Sequence, residues 1–155
     1  MRILGPIDHF VTGAVGEPGR RIFLIEIESA EGLEWFIVEK EQAAAMATRS
    51  LELLREAGVG LPDIGPDLGE PGEPTFRVGE IGIGVEGEHA IVALSPTDEV
   101  PGVTFQVTLL RLGAMARRAG EVVAAGRPPC RLCGRPLDPD GHVCPTSNGD
   151  LRHSP

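Results

Sequence analysis

The chain has 155 residues, 41% of them hydrophobic, which is room for one domain of ordinary size, or a domain with a small appendage, built on a real core. A formal net charge of −9 repels phosphates over most of the surface and argues against broad nucleic-acid binding. No segment reaches the roughly 18–20 apolar residues of a membrane span, and the N-terminal MRILGPIDHF lacks an apolar run of signal-peptide length.

Five Phe, one Trp and no Tyr leave an aliphatic core to be expected. The first predicted element is a strand over residues 8–15, closed by the turn Gly16-Glu17-Pro18-Gly19. Residues 21–28 (RIFLIEIE) and 33–38 form a predicted hairpin about Glu31-Gly32. Residues 39–57 then change to helical spacing, with Ala43, Met46, Ala47, Leu51 and Leu54 near one face, and Gly58 stops the helix. Acids in Glu39-Lys40-Glu41 suit the positive end of the helix dipole. Residues 59–75 hold four Gly, four Pro and four acids, and read as a linker or acidic surface loop. A second hairpin is expected over 76–86 and 89–95, a strand over 103–109, and a helix over 110–125 closed by Gly126.

The order is three strands and a helix, twice. Shifting the chain by 69 residues lays 8–57 on 77–126 without a gap, and ten of the fifty positions are identical. Among them Phe36 matches Phe105, Val38 matches Val107, and Ala45, Met46, Ala47, Arg49 and Glu52 match Ala114, Met115, Ala116, Arg118 and Glu121. The expected fold is therefore α+β: two duplicated β-β-β-α units, 1–58 and 76–126, forming an antiparallel sheet with two helices, joined by 59–75 and followed by a small zinc knuckle in 127–155. Neither unit alone buries its apolar side well, so the two should pair their sheets or pack face to face.

All three cysteines fall within residues 130–144. In a secreted protein an odd number leaves a stray thiol; in a reducing cytoplasm the cluster reads as metal ligation. In Cys130-Arg131-Leu132-Cys133-Gly134 two thiolates can face one ion, and the glycine supplies the tight backbone that such a turn needs. His142 and Cys144 return to the same ion after a short hairpin. Cys130, Cys133, His142 and Cys144 then make a closed Cys3His set for a structural Zn2+. His153 is the alternative fourth ligand, and Asp140 stands behind it. Residues 127–155 carry four arginines against three aspartates, so Arg127, Arg131 and Arg135 form a local basic spot on an acidic body.

Elsewhere the residues favour plain structural roles. Gly79, Gly82 and Gly84 lack a following P-loop lysine and read as bulges or close-packing points. His9 beside Asp8 is available as a base but sits near a strand start, and His89 falls in a hairpin turn. No Ser-His-Asp order, paired-carboxylate motif or nucleotide fingerprint is present.

Three stretches, Phe10 to Phe23 (FVTGAVGEPGRRIF), Val38 to Gln42 (VEKEQ) and Ala124 to Gly149 (AAGRPPCRLCGRPLDPDGHVCPTSNG), resemble an uncharacterised actinobacterial family, domain of unknown function 3090, also described as a repeat protein. The resemblance implies no activity and no catalytic residue. Members are generally longer, which implies a shortened connection at 59–75. The expectation is a cytoplasmic, zinc-bearing, non-catalytic binding or adaptor module with a protein partner, no membrane, and nucleic acid only by local contact. The alternative is a zinc-dependent or small-molecule-binding enzyme with a cleft between the repeats.

Overall fold

In a computed structural model the described residues are 1–17 and 19–125, with the backbone alone of 142–143 and 152–153. The strands are β1 (Arg2–Pro6), β2 (His9–Val15), β3 (Ile22–Ser29) and β4 (Gly32–Val38), followed by helix α1 (Lys40–Glu56). Then come β5 (Phe76–Glu86), β6 (His89–Pro96), β7 (Val103–Thr108) and helix α2 (Leu109–Ala125). A two-residue ladder pairs β8 (His142–Val143) with β9 (Arg152–His153). No helix among the described residues is long and apolar enough to cross a membrane.

Seven strands form one mixed sheet in the order β1-β7-β6-β5-β4-β3-β2. The sheet is not antiparallel throughout, as the sequence had suggested. β4 pairs with β5 in parallel at Phe36↔Phe76 and Ile37↔Arg77, and β1 pairs with β7 in parallel. The reason is connectivity: α1 and residues 57–75 carry the chain back alongside β4, so that β5 enters beside Phe36 and runs the same way. β1 itself escaped the sequence reading, because Gly5 and Pro6 interrupt its apolar pattern; a register shift falls between Ile3 and Gly5.

The two meanders share a register. β2 pairs with β3 at Val11↔Glu26, Gly13↔Leu24 and Val15↔Ile22; β5 pairs with β6 at Glu80↔Ser95, Gly82↔Ala93 and Gly84↔Ile91, each pair 69 residues on. The helix bounds 40–56 and 109–125 differ by the same offset. So do two helix starts, where Gln42 Oε1 accepts the Glu39 N–H (2.8 Å) and Thr108 Oγ1 accepts the Arg111 N–H (3.2 Å). The third strands break the pattern: Leu24 faces Ile37, but Ala93 faces Thr104, a slip of two residues.

Alternation in β3 sends Phe23, Ile25 and Ile27 into the core and Leu24, Glu26 and Glu28 to the other face. The core also takes Phe36, Val38, Met46, Leu54, Phe105, Val107, Leu112 and Met115. The sheet curls strongly. Phe10 on β2 and Phe105 on β7, five places apart in strand order, meet edge to face with ring centroids 5.1 Å apart. α1 and α2 pack on each other, and each reaches the first strand of the opposite half: α1 touches β5 and α2 touches β2. Arg2 on β1 pairs with Glu34 and Glu31 of the β3–β4 hairpin, tying the two ends of the curled sheet.

Residues 57–75 contain neither helix nor strand, yet they do not join two separate bodies. They form a strap. Gly58, at φ +72°, turns the chain out of α1, a backbone state that favours glycine. The strap first crosses α2, where Arg117 donates to the Pro62 carbonyl (2.6 Å) and the Gly65 N–H donates to the Ala114 carbonyl (3.0 Å). It then crosses the outer face of β2, β3 and β4. Gly13 has no side chain because Leu68 lies over it; a Cβ there would be 2.7 Å from Leu68 Cβ.

Candidate functional site

The zinc ligands expected at Cys130, Cys133 and Cys144, and Asp140 behind them, lie outside the described residues, as does the knuckle they would form. For His142 and His153 the backbone is described, and the β8–β9 ladder sets the two opposite each other. Among the described residues no group of three or more His, Cys, Asp or Glu could hold a metal ion.

The most concentrated polar chemistry in the described body surrounds Glu26. Register puts Glu26 between Val11 and Trp35 on the outer face, with His9 one strand step away on the same side. Its side chain is 5% exposed. Oε1 lies 2.7 Å from His9 Nε2, and Oε2 accepts from Trp35 Nε1 at 2.8 Å. The Gly69 amide of the strap donates to the same carboxylate. Burial pushes the Glu26 carboxyl up, but hydrogen bonds from His9, Trp35 and Gly69 outweigh it and hold the group below its ordinary value. Glu26 is therefore an anion whose donors come from β2, β4 and the strap at once. With Oε1 fixing the Nε2 side of His9, the imidazole is oriented with Nδ1 as its remaining ring nitrogen.

Sequence reading weighed His9 only beside Asp8 and passed over Glu26 and Trp35. An alternating strand places Glu26 on the polar face, where an acid reads as solvated. What buries it is the strap, and nothing in the strand's own pattern announces that cover. A usable signal was that this stretch carries Val59, Leu61, Ile64 and Leu68 among its glycines, prolines and acids.

Among the described residues, two clefts lie beside α1. One, of about 280 Å³, runs between α1 and β5 and is lined by Gln42, Ala45, Met46, Arg49, Ile81 and Ile83, with Gly79 at its end. Its polar groups are already engaged: the Gln42 amide donates to the Val78 and Gly79 carbonyls (3.2 Å each), and Arg49 pairs with Glu52 and Glu56. The other, of about 360 Å³, follows the α1–α2 seam past Ala44, Leu51, Ala116 and Val123. Of the three glycines read as bulges or packing points, Gly79 sits in a register shift between Val78 and Glu80. Gly82 and Gly84 are instead exposed on the outer face; a Cβ on Gly82 would meet Ala93 Cβ at 3.8 Å, an ordinary contact, and one on Gly84 would meet open space.

With that geometry in place, comparison with known proteins gives one result. A family model described as a protein of unknown function (DUF3090) matches residues 3–144. The chain belongs to that family. No curated protein and no solved structure matches. The DUF3090 match takes in the curled sheet from Ile3 on, both helices, the Glu26 cluster and the three cysteines, and it stops at Cys144, short of His153.

Proposed function

We propose that this DUF3090 protein is a non-catalytic binding module: a duplicated β-β-β-α body carrying a C-terminal segment ordered by one structural zinc ion. Cys130, Cys133, His142 and Cys144 hold the ion. The observation that carries the reading is their spacing, four ligands of a closed tetrahedral set within fifteen residues. The matched region includes all four and ends before His153, which favours His142 as the fourth. Thiolate ligation is at home in a reducing compartment, so the cytoplasm is the setting. Duplication is supported by the shared hairpin register and helix bounds at one offset of 69, and by Met46 and Met115, both buried.

The body supports binding over turnover. Its buried carboxylate, Glu26, spends both oxygens on His9, Trp35 and the strap, and so stabilises a surface rather than serving a reactant. Arg131, Arg135 and Leu137 around the ion would face a protein partner, with Arg127 adding a local phosphate contact. The cleft between α1 of the first half and β5 of the second favours one other reading, a small-molecule enzyme.

X-ray absorption at the zinc edge on the purified full chain separates the two. Three sulfur ligands and one nitrogen are expected, with no exchangeable water. Three protein ligands plus an exchanging water, together with zinc-dependent hydrolysis of any substrate, would replace the adaptor reading by the enzyme.

A further inference from the structure

Past its first residues β5 keeps a single neighbour. β4 pairs with it only at Phe76 and Arg77, whereas β6 accompanies it as far as Glu86. Among the described residues, the edge from Glu80 to Glu86 is therefore unpaired on the β4 side. The hairpin fixes which groups line it. A two-residue turn, with Gly87 at φ +63°, joins Glu86 to His89, so this pair and every second pair behind it exchange the ladder bonds. The N–H and C=O groups of Gly82, Gly84 and Glu86 then point at β6, and those of Ile81, Ile83 and Val85 point at the open edge. Gln42 marks where the opening begins, since its amide already serves the Val78 and Gly79 carbonyls from the helix side. The end strands of the sheet are better covered: α2 packs on β2, whose residues 10–13 are buried, and Arg2 of β1 is tied to Glu31 and Glu34.

The two faces of this edge differ in chemistry. On the core side, Ile81 and Ile83 are partly buried and line the 280 Å³ cleft with Ala45 and Met46, and Val85 is 40% exposed. An edge guarded against pairing carries an inward charge or a proline, and all three inward places here are apolar. On the outer face, Glu80 and Glu86 bracket Gly82 and Gly84, all four exposed, with Glu88 in the turn. The glycines leave that side low between the acids. A second copy of β5 fits poorly. Antiparallel pairing about Ile83 would set Glu80 of each copy against Glu86 of the other, and like charges directly opposite destabilise a sheet.

We propose that the β5 edge receives an extended segment of a protein partner by strand addition, a segment in which apolar residues alternate with basic ones. Its apolar side chains enter the α1–β5 cleft. Its basic side chains lie over Gly82 and Gly84, between Glu80 and Glu86. Backbone bonds to Ile81, Ile83 and Val85 supply affinity, and the two unlike faces supply selectivity. The surface is built from β5 and α1 alone and needs no metal.

The probe is an end-blocked, dye-labelled peptide of about eight residues alternating valine and lysine, long enough to span the edge. Fluorescence anisotropy and hydrogen exchange on the full chain read its binding. Exchange should slow at the amides of Ile81, Ile83 and Val85, while those of Gly82 and Gly84, already turned to β6, stay unchanged. Val85→Lys puts a charge on the inward side and should weaken binding about tenfold with the circular dichroism unaltered. Glu80→Lys combined with Glu86→Lys, both at exposed places, should reverse the preference toward a valine–glutamate peptide by a similar factor. Cys130→Ser should bind as the wild type does, so this result stands or falls apart from the zinc reading. Absence of saturable binding would overturn the proposal, as would equal binding of a peptide with its valines and lysines in two blocks, which is net-charge attraction alone. Slow exchange at Ile81, Ile83 and Val85 without peptide would also overturn it. Persisting on dilution, that protection assigns the edge to the chain's own segment; lost on dilution, it assigns the edge to a second copy.

Discussion

Glu26→Gln is the sharpest test of how the outer face is held together. The substitution keeps shape and removes the charge. Three donors converge on this carboxylate, from His9, Trp35 and Gly69, at a side chain 5% exposed. A hydrogen bond to a charged group is worth about 1.5–3 kcal/mol, against about 1 for a neutral one. An amide also turns an NH2 toward one of the donors. Three weakened bonds, one of them repulsive, give an expected loss of about 2–4 kcal/mol, with an unchanged denaturant slope. Trp35 is the only tryptophan, so its fluorescence reports the transition and the polarity of its own indole together. Acid titration supplies a second reading. The folded carboxyl sits below its ordinary value, so its contribution is fully present above about 4.5 and drains away as pH falls through the folded value. Glu26→Gln should remove that part of the acid loss, and wild type and variant should converge at low pH. A loss under about 0.5 kcal/mol, or an acid profile parallel to the wild type, would refute the claim that Glu26 joins strap to sheet.

Gly65→Ala should destabilise by about 1–3 kcal/mol, since its Cβ meets helix backbone and not a yielding side chain; chemical denaturation would show it. Purified chain should contain about one zinc, and Cys130→Ser or Cys133→Ser should abolish it while the circular dichroism of the body persists; freshly reduced protein without zinc would end the metal reading. His142→Ala should release zinc under a chelator, and truncation after Gly149 should not; the opposite pattern moves the fourth ligand to His153.

Local sequence carried much of the architecture. The apolar runs at 21–28 and 103–109, the helical spacing of Met46 and Leu54, and Gly58 are physical instructions that act within a few residues, and the elements formed within a residue of where they pointed. Residues paired by the 69-residue offset, Phe36 with Phe105 and Met46 with Met115, are all buried, although a two-residue slip separates the registers of the strands that carry the two phenylalanines. The cysteine spacing is a local signal of the same kind, and the residues it names lie outside the described structure. The site around Glu26 was not legible, since its burial depends on which segment lies across β3, and alternation alone marks that face as wet.

The sequence by itself determined the two meanders and their helices, because backbone periodicity and capping are local properties. Only the tertiary structure decided that β4 and β5 join the halves in parallel, that the sheet curls until Phe10 meets Phe105, and that residues 59–75 bury an acid instead of floating as a loop. Those outcomes turn on contacts between residues far apart in the chain. Their free energy comes from apolar area and hydrogen bonds that exist only once both partners are in place.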